Sequence, residues 1–409
     1  MTARSTSVAL ALLLALVGCD TDTDLSDDTL RSGGHGHHGH GHGHHGHGNG
    51  HGHGHGHGHG HGPKGPIYPD ADWKVGDPEK HGLSEEGLAD MAAVAEGWGT
   101  SCMMVIHDGV LVGEWYWDGY DRHTKISNVF SATKSITSTL VGIAQDEGDL
   151  HINESAANYI DSWEDTPSEE VKIRHLLSNA SGRFWSFESD YFGLMPAPDQ
   201  TAYALGLQQQ FEPGEVWEYN NAAIQTLATV LENATGEDLA DYAEEKLFEP
   251  IGASATIGFD PSGKPLAYQG LSASCDDMAR FGYLALREGR WKNKQVVSKQ
   301  WLKKATKSST DLNDAYGYLW WLNREGNIVE PSFPERVEYE GQLVPAASDK
   351  VFTALGAFGQ LVIVDPEEEY VIVRLENIPD VNAALATCPD PKGLSQLEEI
   401  LTAFEAAKI

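Results

Sequence analysis

The chain has 409 residues, 40% of them hydrophobic and 22% charged, an ordinary globular composition rather than that of a disordered or fibrous protein. Lys and Arg number 28 against 61 Asp and Glu, a net charge of -33 that repels phosphate backbones and excludes nucleic acid as a natural partner. Four cysteines in this length do not make a disulfide scaffold.

Met1 to Ser7 carry one Arg and no acid, and Val8 to Val17 follow as an apolar run. Ten residues are too few to cross a bilayer as a helix but suit the core of an export signal. The run ends in Leu16-Val17-Gly18-Cys19, which resembles the lipobox of bacterial lipoproteins. That resemblance implies removal of residues 1–18, lipidation of Cys19 and a lipid-anchored protein in the bacterial cell envelope, at a periplasmic face or on the cell surface. Several acyl chains on one cysteine hold a protein stably to a membrane where a single chain does not. Residues 19–66 then read as a flexible tether, acidic at first and afterwards almost purely His and Gly. Fourteen of the 19 histidines lie here: His35, His37, His38, His40, His42, His44, His45, His47, His51, His53, His55, His57, His59 and His61. Imidazole suits Zn, Ni and Cu, so weak metal binding is expected without an ordered site; a pH-sensitive solvated spacer is the plainer reading.

About 343 residues, 67–409, remain for the folded part. Ser84 before Glu85 and Glu86, with Leu88, Met91, Val94 and Ala95 beyond, predicts a capped amphipathic helix. Met103 to His107 and Val110 to Trp117 flank Asp108-Gly109, a strong hairpin signal. Helical stretches come next at Ser131 to Asp146, Asn221 to Glu232 and Leu239 to Leu247. Leu361 to Val364 and Tyr370 to Leu375 predict two strands, and Leu394, Leu397, Leu401 and Phe404 mark one face of a closing helix. Strands at both ends with helices between them predict an α+β fold. A mainly antiparallel sheet would be flanked by terminal helices, and an all-helical lobe inserted into it. The sheet lobe is expected at about 67–128 and 285–409, and the helical lobe at about 129–284.

Ser131 and Lys134 stand three residues apart at a helix entrance, which places them on one face within the first turn. A serine hydroxyl is a poor nucleophile near neutral pH and needs a base. Lysine supplies one only when neutral, which burial or nearby positive charge brings about. The helix N-terminus adds N–H groups where an oxyanion would form. The placement suits acyl transfer, although Ser-x-x-Lys alone also describes an ordinary capped helix.

An ordered series of further motifs narrows the choice. His175-Leu176-Leu177-Ser178-Asn179-Ala180-Ser181-Gly182, Pro213-Gly214-Glu215, Tyr219-Asn220-Asn221, Gly270-Leu271-Ser272, Asp277 to Gly282, Gly356 to Gln360 and Asp365-Pro366 succeed one another along the chain. Together they resemble the serine beta-lactamase and penicillin-binding-protein-like hydrolases, in the class C-like branch with its esterases and nylon-oligomer hydrolases. The resemblance covers about 67–409. It implies Ser131 as nucleophile, Lys134 as its base and Tyr219, its phenol pKa lowered beside Lys134, as proton relay. Asn221 would bond Lys134 and the substrate, and the backbone N–H groups of Ser131 and Ala357 would form the oxyanion hole. His175 is expected to pack structurally. Neither metal nor organic cofactor is implied for catalysis.

The departure lies on the closing strand. Where many relatives carry Lys-Thr-Gly or His-x-Gly, this chain has Ala354 to Gln360, without cation or hydroxyl, and Lys350 begins no such tripeptide. The charged anchor for a substrate carboxylate is thereby lost. The expected function is a serine hydrolase cleaving a small ester or amide through an acyl-enzyme. A penicillin-recognising beta-lactamase or D,D-peptidase is the alternative, and a metal-binding lipoprotein on a non-catalytic hydrolase-like scaffold a third. Trp185, Phe187, Tyr191 and Phe192 are candidates to wall the acyl pocket. Cys102, Cys275 and Cys388 allow one disulfide and one free thiol, without choosing the pair.

Overall fold

The computed structural model describes residues 65–409 except 334 and 389, so the export signal, Cys19 and the His/Gly tract lie outside the described residues. The hairpin is where its turn residues put it. Strands β2 (Cys102–His107) and β3 (Val110–Tyr116) are joined through Asp108 and Gly109, both with positive φ (46° and 79°), the turn that matches the twist of flanking strands. A Cβ on Gly109 would meet the Ile67 carbonyl at 1.9 Å, so the chain passing beneath it also requires glycine.

Seven strands form one sheet. In chain order the others are β1 (Lys74–Val75), β4 (Trp321–Leu322), β7 (Phe352–Gly356), β8 (Gln360–Asp365) and β9 (Tyr370–Leu375); β5 (Gly326–Val329) and β6 (Glu338–Gly341) make a separate hairpin. The sheet order is β1-β3-β2-β9-β8-β7-β4, and every pair is antiparallel except β1 with β3. Strands β8 and β9 are buried throughout, so their centres, Leu361 to Val364 and Tyr370 to Val373, read as apolar runs rather than alternating ones.

Helices cover both faces. The first, α1 (Glu85–Gly97), is capped by Ser84, whose Oγ accepts from Gly87 N at 3.2 Å, and it packs against the closing helix α7 (Leu394–Ala407). Tyr370 meets Phe404 of α7 edge to face at 4.9 Å, which puts that helix on one side of β9. Helix α5 (Cys275–Leu286) lies on the other side, where Gly282 lets it close on Val362 and Val371. Helix α5 packs on β8 and β9. A disulfide from Cys102 to Cys275 ties the start of α5 to β2 and leaves Cys388 without a cysteine partner among the described residues.

Between the sheet segments lie α2 (Thr133–Glu147), α3 (Ile173–Leu177) and α4 (Asn221–Thr235). The stretch expected as one helix over Leu239 to Leu247 divides into an α-helix, Leu239–Ala243, and a wider π turn, Glu244–Phe248. The fold is α+β with a mainly antiparallel sheet. Among the described residues no helix is long and apolar enough to cross a membrane.

Candidate active site

Ser131 sits in a 3-10 turn, Phe130–Ala132, that leads into α2. Its neighbour Phe130 has a left-handed backbone (φ 46°), a conformation that costs a non-glycine residue on the order of 1 kcal/mol or more and clusters at functional sites. The surroundings hold it there. Asn128 Oδ1 accepts from Phe130 N at 2.7 Å and from Gly270 N at 3.0 Å, while Val129 N donates to Leu271 O at 2.9 Å. The Gly270-Leu271-Ser272 stretch is therefore the clamp on the serine turn.

Lys134 is 1% exposed, and its Nζ donates to Ser131 Oγ at 2.7 Å and to the Tyr268 carbonyl at 2.9 Å. Burial draws its pKa down to about 7, partly opposed by the charge of Asp190. The amine thus has an accessible neutral form at physiological pH, in contact with the hydroxyl.

Tyr219 is brought in by a loop that the His175 segment cradles. Gly214 N donates to Ala180 O at 2.8 Å, Glu218 N to Asn179 O at 2.9 Å, and Asn220 N to Asn179 Oδ1 at 3.2 Å. His175 itself is buried, accepts from Lys172 N at 3.2 Å through Nδ1, and is pushed down to about 4 by burial. It orders the loop and stays neutral. The Tyr219 ring lies with its centroid 4.8 Å from Lys134 Nζ and stacks on Trp321 at 5.9 Å. The expected lowering of its phenol pKa is not found. Burial raises it well above the usual value, and the Ser131 side chain, within hydrogen-bonding reach, offsets only part of that. The expected help from Lys134 fails because that amine is itself held toward neutrality.

Asn221 lines the same cavity as Ser131 and Tyr219, but it makes no bond to Lys134, whose partners are Ser131 and the Tyr268 carbonyl. Its Oδ1 is buried and has no hydrogen-bond partner among the described residues. A residue that no sequence motif singles out, Asp190, holds this corner. Its carboxylate accepts from Asn221 N at 2.9 Å, Ala222 N at 3.1 Å and Trp185 Nε1 at 3.3 Å, capping α4 from another segment. Asp190 is 1% exposed, and burial lifts its pKa to about 6 despite those donors. Its only sequence signal is an acid placed among aromatics, between Trp185 and Phe192.

The end of β7 closes the other side. A Cβ on Gly356 would strike the Val129 carbonyl at 2.3 Å and approach Ala132 N at 3.1 Å, so glycine lets the strand touch the serine turn and brings Ala357 to the cavity wall beside Ser131. Phe358, also left-handed (φ 61°), packs its ring on Phe130 at 5.4 Å. Lys350 lies at the surface, paired with Asp349 at 2.7 Å. A cation does reach the cavity, from elsewhere: Lys392, bound to Glu330 at 2.5 Å. It belongs to the segment between β9 and α7, which also contributes Val381, Asn382, Leu385 and Pro391 to the wall, including the short helix α6 (Val381–Leu385). The cavity measures about 650 Å³. Of the expected aromatic wall, Tyr191 and Phe192 line it, whereas Trp185 bonds Asp190 and Phe187 packs behind Tyr191 at 4.9 Å.

The profile of the family described as Beta-lactamase matches residues 91–390. The chain belongs to the beta-lactamase family. Among curated relatives of this beta-lactamase-family chain is the 6-aminohexanoate-dimer hydrolase of Paenarthrobacter ureafaciens, 23% identical over 333 residues that cover 72% of this chain and 76% of that one. Another is an Escherichia coli K12 protein provisionally named a D-alanyl-D-alanine carboxypeptidase, 22% identical over 388 residues, 74% of this chain and 85% of the other. Among solved structures, a Bacillus anthracis protein provisionally named a 6-aminohexanoate-dimer hydrolase superposes with a TM-score of 0.61 at 19% identity, covering 83% of this chain and 89% of that one. The octameric penicillin-binding protein homologue from Pyrococcus abyssi gives 0.55 at 18% identity, covering 79% and 78%.

Beta-lactamase-family serine hydrolases need no cofactor for their chemistry. Among the described residues no group of three or more His, Cys, Asp or Glu is placed to hold a metal. The histidine tract lies outside them.

Proposed function

We propose that this beta-lactamase-family enzyme cleaves a small ester or amide through an acyl-enzyme, with Ser131 as nucleophile. Neutral Lys134 takes the Ser131 proton as Oγ attacks the substrate carbonyl. The backbone N–H groups of Ser131 and Ala357 receive the oxyanion, a role that needs no side chain and survives the missing Lys-Thr-Gly. Tyr219 stays protonated and hands a proton to the leaving group while regaining one from Lys134. Water then attacks the ester by the same route in reverse. The unpaired Asn221 Oδ1 is suited to accept an N–H from an amide substrate.

The observation that carries this reading is the 2.7 Å contact between Lys134 Nζ and Ser131 Oγ, made by an amine held near neutrality by burial. A fluorophosphonate probe is expected to label the protein, and a p-nitrophenyl ester to give a burst of product, both lost in Ser131→Ala. A folded wild type that takes no label overturns it. The carboxypeptidase-named relative favours penicillin recognition as the second reading, and nitrocefin turnover or stable penicillin acylation would establish it.

We further propose a lipid-anchored location in the bacterial cell envelope, supported by the Leu16 to Cys19 sequence and by the Cys102–Cys275 disulfide, which suits an oxidising compartment. Weak Zn, Ni or Cu binding by the histidine tract is a separate proposal, supported by its imidazole density.

A further inference from the structure

Around Ser131 lies a small hydrophobic cluster set apart from the main core. Phe130, Phe358, Ile378 and Leu385 are its buried members, with Phe333 and Cys388 packed on them. Two of these, Phe130 and Phe358, hold left-handed backbones beside the two proposed oxyanion donors, Ser131 N and Ala357 N. Phe333 comes from the excursion between β5 and β6, and Leu385 from α6. Neither segment is needed to complete the sheet. Both bring apolar surface to a cavity of about 650 Å³, a volume that accommodates far more than an acetyl or glycyl group.

The charges around this cavity point the same way. Among the described residues its wall holds one cationic side chain, Lys392, already bound to Glu330 with both groups more than four-fifths buried. A substrate carboxylate would have to displace Glu330, and the chain's net charge of -33 opposes its approach. Three corners of a tetrahedral intermediate are also taken. Ser131 Oγ supplies one, the oxyanion donors face the second, and the leaving group needs the Tyr219 side for its proton. The leaving group shares the cavity at Tyr219, and the acyl substituent is assigned to its apolar side, at Phe358 and Leu385.

We infer, resting on the hydrolase reading above, that the substrate is an ester or amide of an uncharged, apolar acyl group of about eight or more carbons, held between Phe358 and Leu385. In the reaction the acyl group passes from the leaving oxygen or nitrogen to Ser131 Oγ and then to water. The products are the carboxylic acid and the alcohol or amine.

The test uses the full chain with p-nitrophenyl esters, so the leaving group is constant. Allowing about twofold per methylene, kcat/KM should rise at least thirtyfold from acetate to octanoate. The mono-p-nitrophenyl ester of suberic acid, with a carboxylate ending a chain of the same length, should be at least tenfold poorer than octanoate. Leu385→Asp should lower the octanoate-to-acetate ratio at least tenfold; if it fails to fold, Leu385→Ala should lower it at least threefold. A flat chain-length series, or preference for the suberate, overturns the inference while labelling of Ser131 leaves the hydrolase reading standing. If neither labelling nor turnover is seen, the hydrolase reading falls, and calorimetry with 2-decanone and 2-pentanone decides the pocket. Tenfold tighter binding of the longer ketone supports it, and equal binding overturns it.

Discussion

Replacing Lys134 by Met should destroy activity and yet stabilise the fold below neutral pH. The side chain is 1% exposed, and its pKa falls from the ordinary 10.5 to about 7, so folding disfavours its charged form by on the order of 5 kcal/mol. Because the folded value lies below the unfolded one, that cost is complete below about pH 7 and fades as pH rises toward 10.5. Methionine fills similar volume without charge, but it leaves the buried Tyr268 carbonyl without its Lys134 donor, a loss of about 1–3 kcal/mol. The balance is a gain of about 2 kcal/mol at pH 6. For a domain of this size that is about 3 °C in melting temperature. Between pH 6 and 9 the wild type recovers roughly 3 kcal/mol, so the advantage should vanish or reverse by pH 9. Thermal unfolding of both proteins at pH 6 and 9, with ester hydrolysis alongside, measures this. A variant less stable than wild type by the same margin at both pH values would refute the reasoning.

Activity should rise with pH through an inflection near 7, where Lys134 loses its proton; Asp190→Asn removes the charge that holds this pKa up, so a pH–rate profile of kcat/KM should move its acid limb to lower pH. Asn221 N and Ala222 N bond different carboxylate oxygens, so the asparagine oxygen keeps one of the two bonds and the start of α4 should persist with a loss of about 1–3 kcal/mol. Gly356→Ala places a Cβ 2.3 Å from the Val129 carbonyl, so the strand must withdraw from the serine turn, and steady-state kinetics should show a loss of about a hundredfold in kcat. Removing the Cys102–Cys275 bridge, which spans 173 residues, should cost up to about 5 kcal/mol by loop entropy, read as a lower denaturation midpoint in Cys102→Ala/Cys275→Ala.

The parts of the molecule legible in its sequence are those fixed over short distances. Asp108-Gly109 dictates its own turn, and Ser131 and Lys134 meet because three residues make most of a helical turn. Tyr219 is legible only through family resemblance, since its loop is positioned by Asn179, some forty residues away in the chain. Asp190 is hidden because its partners are backbone N–H groups at Asn221 and Ala222, which carry no side-chain pattern. Lys392 escapes for a related reason: it stands in a stretch without periodicity, and its place depends on how residues 376–393 fold over the β7–β8 turn, where Phe358 N donates to Pro391 O at 3.1 Å. The pKa of Tyr219 moves opposite to expectation because burial of a phenol is a property of the assembled fold, not of its neighbours in the chain.

The bond from Lys134 to the Tyr268 carbonyl joins positions 134 residues apart, and the serine turn leans on Gly270 and Gly356 as well. A polypeptide caught before those distant pieces converge therefore has a harmless alcohol and an ordinary charged amine. The reactivity proposed for Ser131 depends on those long-range contacts, so an incompletely folded chain should take no acyl group there.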